Sequence, residues 1–220
     1  EKLEKELTAK GLPMPTFIVG QTGTLTRKTE QVGTYNFHNA YDLAQMAKQY
    51  GVGLKEHNAD YLDDVTLLEH IPANVTASNV APQYGTEETR AYLKLCDVEK
   101  ILEEEGLLDE TSDLRNTLLV KAIKTERWRK WMMGEQRNLQ VEDILKDEAL
   151  SLEILDISGH YAFNDEDVKK ELQQLYANLA KFHIDGQRFV VDHIKRPLQQ
   201  YAECYNLKGV TSRIRKAIEK

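Results

Sequence analysis

A chain of 220 residues with 41% hydrophobic and 30% charged side chains has an ordinary globular balance, enough for one sizeable core or two modest ones. Its net charge of −7 argues against broad electrostatic attraction to nucleic acid or to an anionic membrane surface, which needs clustered Lys and Arg. The short basic run KTERWRK is the local exception.

Other classes fall away on simple counts. No apolar run approaches the roughly 18 residues of a membrane-spanning helix, and no charged-then-apolar signal segment opens the chain. Cys96 and Cys204 are far apart and lack metal-ligand spacing, so they read as free thiols in a reducing cytoplasm. The first residues, EKLEKELTAKG, have the pattern of an amphipathic helix, and a chain opening in this way is expected to be part of a longer protein.

Next come three short runs rich in Ile, Val and Phe: PTFIVGQ, VGLK and ANVTAS. Each has the length and density of a buried parallel strand, and each precedes a helical pattern. HNAYDLAQMAKQYG places Ala40, Leu43, Ala44 and Ala47 on one face, with Gly51 as its C-terminal cap. DYLDDVTLLEHIP is stopped by Pro72, with Asp60 as a candidate cap. GTEETRAYLKLCDVEKILEEEG offers Thr86 as an N-cap, with Glu87 and Glu88 in its first turn. Strand and helix thus alternate three times, the pattern of parallel strands with right-handed crossovers.

From about residue 107 the text turns helical. LRNTLLVKAIKTERWRKWM, VEDILKDEALSLEIL and DEDVKKELQQLYANLAKF follow in order, and a last helix is expected to begin at Pro197. The division expected is 1–107 for the strand-bearing part and 108–220 for a helical extension. Trp128 and Trp131, three apart, share a helix face, and with Tyr176 and Phe182 they are expected to pack rather than face water. Three parallel strands with two open edges are an incomplete sheet, so the segment is expected to need further polypeptide.

The residues also carry a resemblance. KEHNADYL resembles the segment that follows the seventh barrel strand in the accessory, Z-type subunits of class II D-tagatose-1,6-bisphosphate aldolase, with His57, Asp60 and Tyr61 matching. Gln21 and Gly23 in VGQTG match a Gln-x-Gly after the sixth strand, and Val80 and Pro82 match a Val-x-Pro after the eighth. WRKWM is similar to that family's aromatic-basic-basic-aromatic run. The closing VVDHIKRPLQQYAECYNLKGV is similar to its last segment, at His193, Asn206, Leu207, Gly209 and Val210.

The resemblance implies a (β/α)8 barrel of which this chain supplies the last three strand–helix units and a helical extension. It implies a role in carbohydrate metabolism: an accessory subunit that binds a catalytic aldolase subunit or its own copies, or else a metal-dependent ketose epimerase or aldolase. A tagatose-6-phosphate kinase label, used for some relatives, finds no Gly-x-x-x-x-Gly-Lys-Ser/Thr motif here.

The implied site lies where barrel strands end. His57 is the candidate ligand for a divalent metal such as Zn or Mn, which would polarise a ketose carbonyl; further ligands would come from other strands. Gln21, Asn58, Asp60 and Asn79 are candidate contacts for a sugar or sugar phosphate. Arg27, beside Lys28, is the basic candidate for a phosphate. The simpler reading of His57 and Asp60 is that they are hydrogen-bonded loop residues. Asn79 stands where the family has Lys, a change that removes a cation and suits a less charged sugar; Leu25 and Arg27 stand where the family has acids.

Overall fold

The computed structural model describes residues 1–219. It is a mixed α/β structure in two compact units: Glu1–Thr26, Glu30–Val80 and Gln199–Lys220 form one, and Arg27–Thr29 with Ala81–Leu198 form the other. In chain order the elements are α1 (Lys2–Ala9), β1 (Phe17–Gly20), the two-residue strands β2 (Thr26–Arg27) and β3 (Glu30–Gln31), α2 (Phe37–Gln49), β4 (Gly53–Glu56), α3 (Asp64–Glu69), β5 (Val75–Ser78) and α4 (Pro82–Glu104). Then come α5 (Leu114–Lys124), two 3-10 turns (Arg127–Trp131 and Gly134–Asn138), α6 (Val141–Ile144) and α7 (Glu148–Ser158). A third 3-10 turn (Gly159–Tyr161), α8 (Glu166–Ala180), α9 (Gly186–Cys204) and α10 (Val210–Ile218) complete the chain.

In the strand-bearing unit, β1, β4 and β5 form a parallel sheet in that order, as the three apolar runs predict. The pairing runs from Phe17 opposite Gly53 to Gly20 opposite Glu56, and Glu56 in turn is opposite Ser78. α2 buries Ala40, Ala44 and Ala47, and Ala44 and Ala47 pack with Val52 and Leu54 of the strand region. Gly20 has no room for a side chain, since a Cβ would lie 2.5 Å from Leu54 Cδ1. The opposite face of the sheet is open: Val19 is 63% exposed, and the Lys55 ammonium sits 5.3 Å from the Phe17 ring.

Helix ends explain where the structure departs from expectation. Asn36 accepts a hydrogen bond from the Asn39 N–H and starts α2, while Gly51, at φ +68°, ends it as expected. α3 is capped by Asp63, whose carboxylate accepts from the Thr66 N–H at 2.9 Å, so Asp60 is not the cap. α4 begins at Pro82 rather than at Thr86; proline fixes the backbone angle a first turn needs, and Thr86 is buried inside the helix. Pro197, expected to open a last helix, lies inside α9, and α10 follows.

The helical unit holds two apolar clusters. One joins Leu95, Leu114, Leu118, Leu155, Val168, Leu175 and Leu179; the other joins Ile123, Trp128, Met132, Ile144 and Ile154. The expected single helix through WRKWM stops at Lys124 because the Trp128 indole N–H donates to the Ile123 carbonyl at 2.8 Å, satisfying a helix-end acceptor. Glu126 then turns left-handed, and Arg127–Trp131 forms a 3-10 turn. Trp128 is fully buried, and Trp131, Tyr176 and Phe182 are half-buried. Among the described residues no helix is long and apolar enough to cross a membrane.

Candidate functional site at the strand ends

Because Gly20, Glu56 and Ser78 are register partners across the sheet, the residues that follow them, Gln21, His57 and Asn79, stand in a row at the carboxyl ends of three adjacent strands. The Asn79 N–H donates to the Glu56 carbonyl at 3.1 Å, carrying the pairing to that edge. Three of the residues singled out from sequence are therefore brought together by the backbone alone.

The loop after His57 is held through its main-chain groups, chiefly by side chains from other segments. The Thr24 hydroxyl donates to the His57 carbonyl at 2.8 Å, and the Gln31 amide donates to the carbonyls of Asn58 and Asp60 at 3.0 and 3.1 Å. The Ala59 N–H donates to the Asn79 carbonyl at 3.0 Å, and the Tyr201 hydroxyl donates to the Ala59 carbonyl at 2.7 Å. Asn58 and Tyr61 adopt left-handed angles, φ +63° and +60°, which asparagine tolerates well and tyrosine poorly. The backbone is thus fixed while the His57 side chain is left exposed. That is the arrangement of a positioned side chain rather than of a packed one.

The other candidates divide. Asp60 is buried and Asn58 half-buried, whereas Gln21 and Arg27 are exposed. The Gln21 carbonyl accepts from the Asn39 amide at 2.7 Å. Lys28, the neighbour of Arg27, is engaged by Glu153 in an ion pair. The first turn of α4 carries no acidic residue, because the helix starts four residues before the expected Thr-Glu-Glu-Thr. Among the described residues no three His, Cys, Asp or Glu side chains are grouped so as to hold a metal.

Sequence reasoning missed a buried polar cluster one residue away. Glu56 is fully buried, and its carboxylate accepts from the Thr22 hydroxyl at 2.5 Å and, more weakly, from Thr24 at 3.5 Å. Its second oxygen lies 2.5 Å from His70 Nε2. His70 Nδ1 is 2.8 Å from the Thr66 carbonyl, which can only accept, so Nδ1 carries a proton and the contact to Glu56 shares another. The Tyr35 ring stacks on His70 at 4.3 Å, with its hydroxyl buried and, among the described residues, lacking a hydrogen-bond partner. Burial, then Glu56 and Glu69, push the Tyr35 phenol well above its ordinary value and keep it protonated. The signal is present in the alternation of β4: Leu54 points to the covered face, so Glu56, two residues on, does too.

Glu56 and Thr24 also connect the cluster to the row of strand ends, since the same Thr24 hydroxyl that approaches Glu56 holds the His57 carbonyl. Gly23 lets this loop close: at φ +102°, a Cβ there would lie 2.1 Å from the Thr34 carbonyl oxygen.

No family model and no curated protein matches the chain. Among solved structures it is similar to a "probable tagatose 6 phosphate kinase" from Sinorhizobium meliloti 1021, with a TM-score of 0.49, 18% identity, and coverage of 84% of this chain and 51% of that one. It is also similar to the glycerol-complexed fructuronate-tagaturonate epimerase UxaE from Cohnella laeviribosi, with a TM-score of 0.45, 12% identity, and coverage of 93% of this chain and 41% of that one. The chain spans about half the length of these two proteins or less.

Proposed function

We propose that this chain is the closing part of a (β/α)8 protein of ketose metabolism, of the accessory-subunit type that supports a class II aldolase acting on ketose bisphosphates. The observation that carries the reading is the row Gln21, His57 and Asn79 at adjacent strand ends, because sites on this fold are built at that edge. The resemblance of KEHNADYL and its flanking motifs supplies the chemistry expected there. The open sheet face around Val19 and Phe17 is the kind of surface that further barrel strands would cover.

In this reading His57 faces the sugar or a divalent metal such as Zn or Mn, Asn58, Asp60 and Asn79 shape the mouth, and Gln21 reaches the polar end of the ligand. Other strands of the barrel would supply the remaining metal ligands. The second reading is that the complete protein is itself a metal-dependent ketose epimerase or aldolase. What favours it is the exposed His57 imidazole on a clamped backbone, a geometry an accessory role does not need.

The experiment that separates the two uses the complete gene product, with and without a catalytic aldolase subunit, on free and phosphorylated ketoses. An accessory protein raises the partner's activity or thermal stability and is silent alone. An enzyme turns over alone, needs Zn or Mn, and loses turnover in His57→Ala. If neither activity nor partner stabilisation appears, the reading is wrong.

A further inference from the structure

We infer that Arg127, Lys130 and His160 of the helical unit form a binding site for a phosphomonoester. Within the 3-10 turn Arg127–Trp131, side chains three apart lie above one another, so Arg127 and Lys130 project from the same edge. Both converge on Tyr161: the Arg127 guanidinium lies 4.9 Å from the ring centre and the Lys130 ammonium 5.1 Å, and Lys130 donates to the Tyr161 hydroxyl at 3.0 Å. His160 packs its ring 4.0 Å from that of Tyr161.

Two cations brought to one ring repel each other, and an anion bound beside both would offset that repulsion. The neighbouring Arg129 shows how this turn satisfies a cation that holds structure together, for it pairs with Glu126 at 2.9 Å and donates to the carbonyls of Arg137 and Leu139. Arg127 and Lys130 have no such partner; among the described residues neither forms an ion pair with a carboxylate. A tyrosine face compensates part of the repulsion, worth only about 0.5–1 kcal/mol at an exposed site.

His160 completes the set. Its ring lies against Gly85, where an added Cβ would come within 2.6 Å of Cγ, 2.7 Å of Nδ1 and 2.9 Å of Cδ2. Its Nδ1 is buried and, among the described residues, lacks a hydrogen-bond partner. Burial, then Lys130 and Arg127, hold the imidazole below its ordinary value, which agrees with both cations being close to it. A forked guanidinium, a point-charge ammonium and an imidazole gathered at one tyrosine ring offer the kinds of donor that suit the three oxygens and two charges of a phosphoryl group better than a flat carboxylate. This site lies on the helical unit, and its test is independent of the function proposed for the strand ends.

The test is a titration of the full chain at neutral pH and about 0.15 M salt, where surface charge effects are largely screened. It follows heat and the fluorescence of Trp131, whose ring lies 4.9 Å from the Lys130 ammonium. The titrants are inorganic phosphate, a ketohexose phosphate, the unphosphorylated ketose, a sugar carboxylate and a short polyanion. Saturable binding of the two phosphate compounds is expected, weakened about tenfold by Arg127→Gln or Lys130→Gln and unchanged by Lys124→Gln on α5. Arg127 and Lys130 are exposed, so the variants should keep their circular dichroism. The inference fails if no phosphate compound binds saturably, if the sugar carboxylate or the polyanion binds in preference, or if the two substitutions leave the affinity unchanged.

Discussion

The two units solve the problem of stability with different materials. The helical unit buries large apolar side chains, among them Trp128, Leu95, Leu114, Leu118, Ile123, Met132 and Leu155, each with less than 2% of its surface exposed or at that limit. The strand-bearing unit has a thinner apolar core, built on Ala40, Ala44, Ala47, Val52 and Leu54, and fills the rest with Glu56, His70, Thr22 and Thr24. Apolar packing tolerates change of shape at moderate cost. A buried polar cluster does not, because each lost partner leaves another group unsatisfied. The strand-bearing unit should therefore be the more brittle of the two.

The largest expected effect follows from that difference. Glu56→Ala strips the acceptor from Thr22 and His70 at once and should cost about 3–5 kcal/mol, as breaking one side of a buried pair does. Glu56→Gln keeps the shape and should cost less, about 1–3 kcal/mol. Equal, small losses in chemical denaturation would show that the cluster is tolerant and the comparison mistaken.

Leu118→Ala, at a fully buried position of α5, should cost about 2–5 kcal/mol in the helical unit. The chain has two tryptophans, both in that unit, so their fluorescence reads its unfolding alone. A shifted fluorescence midpoint with unchanged Cys204 reactivity would show that the units unfold separately. A joint shift would show one cooperative structure.

Gly85→Ala is a milder probe of the helical unit. The new methyl would meet the His160 ring at 2.6 Å, and overpacking of this kind costs about 1–3 kcal/mol. If the melting temperature is unchanged, His160 moves freely and the tight packing against α4 is not needed.

How far the sequence can be read also differs between the units, for physical reasons. The three parallel strands and α2 are legible because their signals are local: short Ile- and Val-rich runs, an alanine face and a glycine cap. The row of Gln21, His57 and Asn79 follows from the same reading, since strand ends line up once strands do. Glu56 escapes it because a charged residue at a strand end looks like the start of a loop until the alternating pattern is carried one step further. Asp60 reads as a cap only until Asp63, three residues later, is weighed against it. In the helical unit, proline is an ambiguous boundary mark. Pro82 opens α4 and Pro197 lies within α9, and neither outcome is settled by the residue alone. For phosphate contacts the sequence points beside β1, to Arg27 and Lys28. The convergence of Arg127 and Lys130 on Tyr161 joins residues about thirty positions apart, as the Lys130 to Tyr161 hydrogen bond records, and no local pattern announces it.

Cysteine reactivity gives a smaller contrast. Burial pushes the Cys96 thiol up to about 12 despite the opposing Arg115, while Cys204, half-buried in the strand-bearing unit, is raised by burial and by Asp64 and Glu203. Since the thiolate is the reactive form, a thiol reagent at mildly alkaline pH should modify Cys204 first and Cys96 only when the helical unit opens. Equal rates would mean that the helical core admits solvent.

The smallest expected effect concerns acid. In the folded helical unit burial and then Lys130 and Arg127 hold the His160 imidazole below its ordinary value, whereas the unfolded chain takes a proton near pH ~6.5. Between those two points the unfolded state binds more protons, so this residue's contribution to stability is whole above pH ~6.5 and is lost as the pH falls. Tryptophan-monitored unfolding should show a stability that declines on acidification through this window, and His160→Asn should flatten the decline. Bound phosphate should act in the same direction as the substitution, because an anion beside Lys130 and Arg127 offsets the two charges that oppose protonation. A decline that persists unchanged in His160→Asn would assign it to carboxylates elsewhere in the chain and leave His160 outside the balance.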